Sequence, residues 1–163
     1  EGPEDAPIVM VEFMDYRCSA CRLSHNRITE LLEENDDLKV VYKHYPVFGP
    51  PAADEAAMAL AAGKMGKFKE MHDILISREN PVQQDEIPVL ARQIGLDTRQ
   101  YLKEWRAQDI GIQLIKNLDD AETMGVNATP TFYINKKPIK KGERQIPSKE
   151  ELQAAINEAR ENL

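Results

Sequence analysis

The sequence lacks any long apolar run. Its 163 residues contain no uninterrupted stretch near the roughly 18 apolar residues that a membrane-spanning helix needs. The opening segment, EGPEDAP, also lacks the basic and apolar regions of a signal peptide. It is equally compatible with a mature N-terminus left after signal removal and with an arbitrary boundary. These absences predict a soluble protein.

An excess of positive charge is missing as well. The chain has 28 acidic and 21 basic residues, for a formal net charge of -7. A broad surface for nucleic acid needs the opposite balance, so we expect no nucleic-acid partner. Hydrophobic residues make up 42% of the sequence, enough for one core in a chain of this length. We therefore expect a single domain over residues 1–163.

Cysteine is scarce, and both copies lie in one short segment, FMDYRCSACRLSH, as Cys18 and Cys21. A disulfide between them would close almost no loop in the unfolded chain, so it would stabilise the fold very little. Secreted domains that depend on disulfides usually carry several pairs. A structural staple is therefore disfavoured, and the pair should have a chemical purpose.

A metal site is one such purpose. Cys18, Cys21 and His25 are spaced to share one helix face and could bind a soft metal such as copper or zinc. A structural zinc site usually needs a fourth ligand, and His44 and His72 lie elsewhere without ligand spacing. A metal-binding thiol module stays open as an alternative, as does a redox-inert binding module.

The residues around the cysteines predict a strand followed by a helix. Residues 8–13, IVMVEF, form an apolar, β-branched run that one carboxylate, Glu12, interrupts. From Cys18 onward the apolar spacing is helical and stops near the acidic segment 34–37. Cys18 would then lie at a helix N-terminus, where backbone N–H groups and the helix dipole lower the pKa of a thiol. Arg17 and Arg22 would add to this positive field, and Cys21, one turn inward, would be less exposed.

The rest of the chain predicts two further strand and helix patterns. Residues 38–45, LKVVYKHY, favour a second strand, which completes a β-α-β unit. Residues 52–124 then form a helical block about seventy residues long, with Gly95 as a helix stop and Asp97 with Gln100 as a helix start.

After the block, a short hairpin and a helix are predicted. Residues 131–135, TFYIN, a Lys-Lys turn and residues 138–140 favour the hairpin. Ser148 and Glu151 form a capping box for a last helix, whose apolar face is Leu152, Ile156 and Ala159. The predicted order is β-α-β, helical insertion, β-β-α, an α/β fold.

These motifs together resemble the DsbA-like thioredoxin-fold thiol:disulfide oxidoreductases, most closely the Com1-like and ScsC-like branches. The resemblance rests on VEFMDYRC before the CxxC, on the helical insertion and on GVNATPTFYIN near the end, and it spans nearly the whole chain. It implies a thioredoxin fold with a helical insertion at about 52–124, and an enzyme that forms or rearranges disulfides in cysteine-containing proteins.

The resemblance also implies roles for single residues. Cys18 would be the exposed nucleophile and Cys21 would resolve the mixed disulfide. Pro130 would follow a cis peptide bond beside the pair, and Thr129 would offer its backbone to substrate. The simpler interpretation of Pro130 is an ordinary trans proline at a strand edge.

Glu12 is implied as well, as a strand carboxylate that assists proton transfer beneath the pair, with Lys43 as its possible partner. The alternatives are that Glu12 points to solvent or forms an ion pair with no chemical role.

The resemblance implies neither a metal nor an organic cofactor, since the redox-active disulfide Cys18–Cys21 suffices. It also implies a periplasmic or otherwise extracytoplasmic location and a membrane or soluble redox partner that resets the pair. Ser19-Ala20 depart from the Pro-His of the best-known oxidases, so oxidase, isomerase and reductase directions stay open. An oligomer is possible if an N-terminal segment was removed, because isomerases of this fold commonly assemble through one.

Overall fold

The computed structural model describes residues 1–140 and 146–163. Its elements follow the predicted order. The strands are β1 (Ile8–Met14), β2 (Leu38–His44), β3 (Thr131–Ile134) and β4 (Lys137–Pro138). The helices are α1 (Ser19–Glu34), α2 (Pro50–Lys64), α3 (Phe68–Ser77), α4 (Ile87–Gln93), α5 (Thr98–Trp105), α6 (Gln108–Thr123) and α7 (Lys149–Glu161).

The chain divides into two compact units. The sheet unit consists of Glu1–Met14, Ser19–Lys43 and Ala128–Leu163. The helical unit consists of Asp15–Cys18 and His44–Asn127. The helices predicted at 52–124 are α2 to α6, which lie in the chain between β2 and β3. That residues 1–163 act as a single domain stays a prediction.

The sheet unit is built on a sheet with the strand order β2-β1-β3-β4. β1 and β3 are antiparallel, and their register sets Met10 opposite Ile134 and Glu12 opposite Phe132. Ile8 and Met10 of β1 are fully buried, as are Leu152 and Ile156 of α7. The apolar face predicted for the last helix is therefore confirmed at these two positions, and α7 packs on β1 and β3.

The capping box predicted for α7 is confirmed. The Glu151 backbone N–H donates to Ser148 Oγ at 3.2 Å, and the Ser148 N–H donates to Glu151 Oε2 at 2.7 Å. Two backbone donors that the first helical turn leaves unpaired are thus satisfied at once.

The predicted Lys-Lys turn of the hairpin is wrong by one residue. Ile134 pairs with Lys137, so the loop is Asn135-Lys136 and Lys137 belongs to β4. Both loop residues have positive φ, 45° and 70°, as the favoured two-residue hairpin turn requires. Asn tolerates this conformation, and Asn135 Oδ1 also accepts the Val9 N–H at 2.8 Å. The side chain of Asn135 therefore explains the shift.

The helical unit is organised around α2. Its buried residues are mostly alanines, whose small side chains let α3, α5 and α6 pack closely against it. Tyr101 of α5 is fully buried and donates its hydroxyl to the Met58 carbonyl of α2 at 3.0 Å. Asp97 caps α5 by accepting the Gln100 N–H at 2.8 Å, as predicted.

Candidate active site

Cys18 is the residue directly before α1, as the sequence predicts. Its backbone N–H donates to the Asp15 carbonyl at 3.0 Å, which closes a tight turn between β1 and the helix. Cys21 lies in the first turn of α1.

The two cysteines differ in exposure in the predicted order, with 6% of Cys18 and 1% of Cys21 accessible. Cys18 is nevertheless a buried residue, so the expectation of an openly exposed nucleophile is wrong in degree. The three residues before Cys18 anchor the segment Asp15–Cys18 in the helical unit.

Asp15 is the first anchor. It is 2% exposed, and its carboxylate accepts three backbone N–H groups. Oδ1 accepts from Arg17 at 2.7 Å, and Oδ2 accepts from Val47 at 2.8 Å and from Phe48 at 3.1 Å. Such charge-assisted hydrogen bonds offset the cost of burying a carboxylate. Asp15 thus joins the turn before Cys18 to the loop after β2.

Tyr16 is the second anchor and is 1% exposed. Its hydroxyl lies 2.8 Å from His72 Nδ1 and 3.1 Å from His44 Nε2. Phe68 stacks on the His72 ring with 5.4 Å between ring centroids and meets the His44 ring edge-on. Burial lowers the pKa of His44 to about 4, so this imidazole is neutral at physiological pH.

Arg17 is the third anchor. Its Nε lies 2.7 Å from Glu55 Oε2, and the two side chains are only 8% and 1% exposed. The guanidinium also donates to the Arg78 and Glu79 carbonyls at 3.1 Å and 3.0 Å. Burial is the main cause that raises the pKa of Glu55, and it outweighs the attraction of Arg17.

The ion pair corrects the predicted role of Arg17. A cation paired at 2.7 Å with a buried carboxylate has little positive field left for a neighbouring thiolate. Arg17 therefore anchors the segment before Cys18 rather than serving as an unpaired cation beside it.

Glu12 is buried in the sheet unit, with 2% of its surface accessible. Strand alternation places it on the same face of β1 as Ile8 and Met10, and its cross-strand partner is Phe132. The alternative in which Glu12 points to solvent is wrong. Lys43, on the neighbouring strand β2, is half-buried. A role of Glu12 in proton transfer stays a prediction.

Thr129 and Pro130 directly precede β3. The Thr129–Pro130 peptide bond is cis, and Pro130 is buried. The next residue, Thr131, pairs with Phe13 in the β1–β3 register and donates its hydroxyl to the Ala128 carbonyl at 2.7 Å. The register therefore brings Thr129 and Pro130 to the C-terminal end of β1, beyond the pair of Phe13 and Thr131. Their contact with substrate stays a prediction.

No group of three or more His, Cys, Asp or Glu side chains within residues 1–140 and 146–163 is arranged to hold a metal ion. His44 and His72, which the sequence leaves without a role, are hydrogen-bonded to Tyr16. His25 is half-buried rather than fully solvated.

The sequence interpretation missed Asp15, Tyr16 and the pairing of Arg17. Tyr16 meets its partners 28 and 56 positions away, and Arg17 meets the Arg78 carbonyl 61 positions away. Local spacing carries no signal for such contacts. The one available sign was composition, since an aspartate, a tyrosine and an arginine in a row before the CxxC all have groups that need partners when buried.

Within the described residues, no helix is both long and apolar enough to cross a membrane.

Comparison with known proteins supports the resemblance. The sequence profile of the Thioredoxin family matches residues 1–158. Among solved structures, a thioredoxin-like oxidoreductase from Silicibacter pomeroyi DSS-3 is 26% identical with a TM-score of 0.88, over 99% of this chain and 91% of that one. The thiol-disulfide exchange protein α-DsbA2 from Wolbachia pipientis is 21% identical with a TM-score of 0.87, over 97% and 84%.

Curated relatives include a Na(+)/H(+) antiporter NhaA 1 from Mycobacterium sp. (strain KMS), 34% identical over 141 residues. The match covers 83% of this chain and 23% of the antiporter. An antiporter of the same name from Salinispora arenicola is 29% identical over 82% of this chain and 21% of its own length. This chain thus spans about a fifth of these relatives.

The match of the Thioredoxin family over residues 1–158, the shared fold and a CxxC whose first cysteine directly precedes α1 lead to one assignment. The chain belongs to the thioredoxin family.

Proposed function

We propose that this chain forms or rearranges disulfides in protein substrates through a redox-active Cys18–Cys21 pair. The observation that carries the proposal is the position of Cys18, directly before α1 in a turn closed by its own N–H bond to Asp15. Unpaired N–H groups and the dipole at a helix N-terminus favour a thiolate, the reactive form of cysteine.

The exchange proceeds in two displacements. A substrate thiolate attacks Cys18 Sγ of the oxidised pair, a substrate–Cys18 disulfide forms, and Cys21 departs as a thiolate. A second substrate thiolate then attacks the substrate sulfur of this mixed disulfide, and Cys18 departs as a thiolate. Two electrons pass from the substrate dithiol to the pair. In the reverse direction Cys18 attacks a substrate disulfide and Cys21 releases the reduced substrate.

Glu12 is proposed to accept and return the proton of Cys21 during these steps. The support is its burial on an otherwise apolar face of β1. A carboxylate is costly in such surroundings, so a chemical role explains its presence better than stability does. Lys43, on the neighbouring strand, is the proposed source of a compensating charge.

Thr129 and Pro130 are proposed to bind substrate beside the pair. They lie at the edge where β3 begins, and β3 is the antiparallel neighbour of β1, the strand that leads to Cys18. An extended substrate segment could pair with the backbone of Thr129 in the manner of an added strand. No metal or organic cofactor takes part in this scheme.

The direction of electron flow depends on how strongly the Cys18 thiolate is stabilised. Ser19-Ala20 contribute no imidazole, and the charge of Arg17 is paired with Glu55. Each tenfold loss of thiolate stabilisation lowers the reduction potential by about 30 mV. These two observations favour an isomerase or reductase over a strong oxidase, which is the second candidate function of the same site.

The location, the substrates and the redox partner are proposed from the family resemblance. We propose an extracytoplasmic location, cysteine-containing protein substrates, a redox partner that resets the pair, and action of residues 1–163 as one domain. The α-DsbA2 of Wolbachia pipientis, a thiol-disulfide exchange protein, supports the choice of substrate.

The test compares Cys18→Ser with Cys21→Ser, the same substitution one helical turn apart. Cys18→Ser should abolish both insulin reduction and the oxidation of a reduced unfolded protein. In Cys21→Ser, Cys18 should still attack the substrate disulfide and release one substrate thiolate, and the substrate–Cys18 mixed disulfide should accumulate because no Cys21 thiol resolves it, which mass spectrometry detects. Turnover by Cys18→Ser would refute the mechanism.

The Cys18–Cys21 potential, measured against glutathione, then separates the directions. A value near about -120 mV favours disulfide donation, and one near about -270 mV favours reduction.

A further inference from the structure

The hydroxyl of Tyr16 lies between two imidazoles inside the helical unit. It is 2.8 Å from His72 Nδ1 and 3.1 Å from His44 Nε2, and each of the three residues is only 1% exposed. The rings also contact one another, with centroids 5.3 Å apart for Tyr16 and His44 and 5.5 Å apart for Tyr16 and His72. We call these three residues the tyrosine relay.

The direction of the two hydrogen bonds follows from the single proton of the Tyr16 hydroxyl. The hydroxyl can donate to one imidazole and must accept from the other. The outer ring nitrogens, His44 Nδ1 and His72 Nε2, are both buried, so burial does not distinguish the two orders. The two distances do, because an O–H donor bond is ordinarily shorter than an N–H donor bond, and the shorter contact of the hydroxyl is the one with His72 Nδ1.

The relay therefore runs from His44 Nε2–H to the Tyr16 oxygen, and from the Tyr16 O–H to His72 Nδ1. Both imidazoles are neutral in this arrangement. The relay holds Tyr16 without burying any charge.

The relay lies where it can act on Cys18. Tyr16 is two residues before Cys18, and the Asp15 carbonyl, one residue before Tyr16, accepts the Cys18 N–H at 3.0 Å. Tyr16 therefore belongs to the turn that this bond closes, and the two imidazoles anchor its side chain. We expect a Tyr16 ring that is free to shift to loosen this bond, and with it the turn that holds Cys18.

We propose that Tyr16, His44 and His72 are positioning residues that hold the Cys18 thiol in its reactive orientation. The proposal rests on the proposed function, in which Cys18 is the attacking sulfur. In this proposal the relay acts on Cys18 through the backbone of residues 15–18.

The first test measures the rate at which iodoacetamide alkylates Cys18 at pH 6, in a Cys21→Ala background where one thiol remains. Tyr16→Phe removes only the hydroxyl. Because the thiolate is the reacting form, we expect the rate to fall at least ~3-fold. Tyr101→Phe is the matched control, since it removes another buried hydroxyl of the helical unit, bonded to Met58 at 3.0 Å.

Both Tyr→Phe variants should lose similar stability in urea, but only Tyr16→Phe should slow alkylation. Equal alkylation rates in the two variants would overturn the proposal. The measurement needs no turnover, so a chain inactive on insulin that still shows the Tyr16 effect would refute the proposed function alone.

A second pair of variants keeps the test decisive if Tyr16→Phe does not fold. His44→Gln places an amide N–H near the position of Nε2 and should keep the alkylation rate near that of the parent. His44→Leu has no donor and should slow alkylation as Tyr16→Phe does. Equal slowing by His44→Gln and His44→Leu would overturn the proposal, because the hydrogen bond would then be irrelevant.

Discussion

Acidification should destabilise this protein through His44. Burial lowers the pKa of His44 from 6.5 to about 4 in the folded state. Above pH 6.5 the imidazole is neutral in both the folded and the unfolded chain. Below pH 6.5 the His44 imidazole is protonated in the unfolded chain, whereas in the folded chain it stays neutral down to about pH 4. The free energy of unfolding therefore falls as the pH falls through this window.

The size of the effect follows from the two pKa values. In the window where only the unfolded chain is protonated, each pH unit lowers the free energy of unfolding by about 1.4 kcal/mol. Between pH 7 and pH 5 the loss from His44 alone is about 2 kcal/mol. Ordinary domains are stable by about 5–15 kcal/mol, so this loss is easily measured.

Urea unfolding of the parent and of His44→Gln at pH 7, 6 and 5 isolates the contribution of His44 to the pH dependence of the free energy of unfolding. Tyr16, which is hydrogen-bonded to His44, and His72, which is hydrogen-bonded to Tyr16, are present in both proteins, as are the carboxylates. The parent should lose about 2 kcal/mol more than His44→Gln between pH 7 and pH 5. Identical pH dependence in the two proteins would show that His44 takes up its proton at the same pH whether folded or not.

Three further predictions test the site and the fold. Glu55→Ala leaves the buried Arg17 cation without its carboxylate, so it should lower the free energy of unfolding, measured in urea, by about 3–5 kcal/mol. The double variant Arg17→Met with Glu55→Leu removes both charges and should lower it less. Equal losses in the two variants would contradict a buried ion pair. Glu12→Gln should prolong the mixed disulfide in single-turnover assays without loss of stability, and an unchanged lifetime would remove Glu12 from the mechanism. Ser148→Ala should cost about 1 kcal/mol through the lost cap with Glu151, and an unchanged urea midpoint would contradict it.

Short-range patterns predicted most of the elements. The apolar run of β1, the helix after Cys18 and the last helix all depend on neighbours within a few positions. The same holds for the cap at Asp97, whose partner Gln100 is three residues away. The hairpin turn failed by one residue because its position depends on Asn135, which bonds Val9 at a separation of 126 residues.

In the candidate site, too, the features set by neighbouring residues could be predicted, and those that depend on distant residues could not. The spacing of Cys18 and Cys21 and their place at the start of a helix could be recognised in the sequence. The pairing of Arg17 with Glu55 could not be recognised, and it removes most of the positive field that the sequence assigned to Arg17. Charge in a sequence shows which groups exist, whereas the field at an atom depends on which of them are paired and desolvated.

The sequence by itself determined the chemistry available to this protein: two cysteines at CxxC spacing, a strand before them, a helix after them and a proline far downstream. The tertiary structure alone decided how the first cysteine is held. Asp15, Tyr16 and Arg17 each reach partners at least 28 positions away, which lie at the end of β2, in the loop after β2, in α2, in α3 and after α3. Local periodicity carries no record of such contacts, because they arise only when the helices fold around the segment before Cys18.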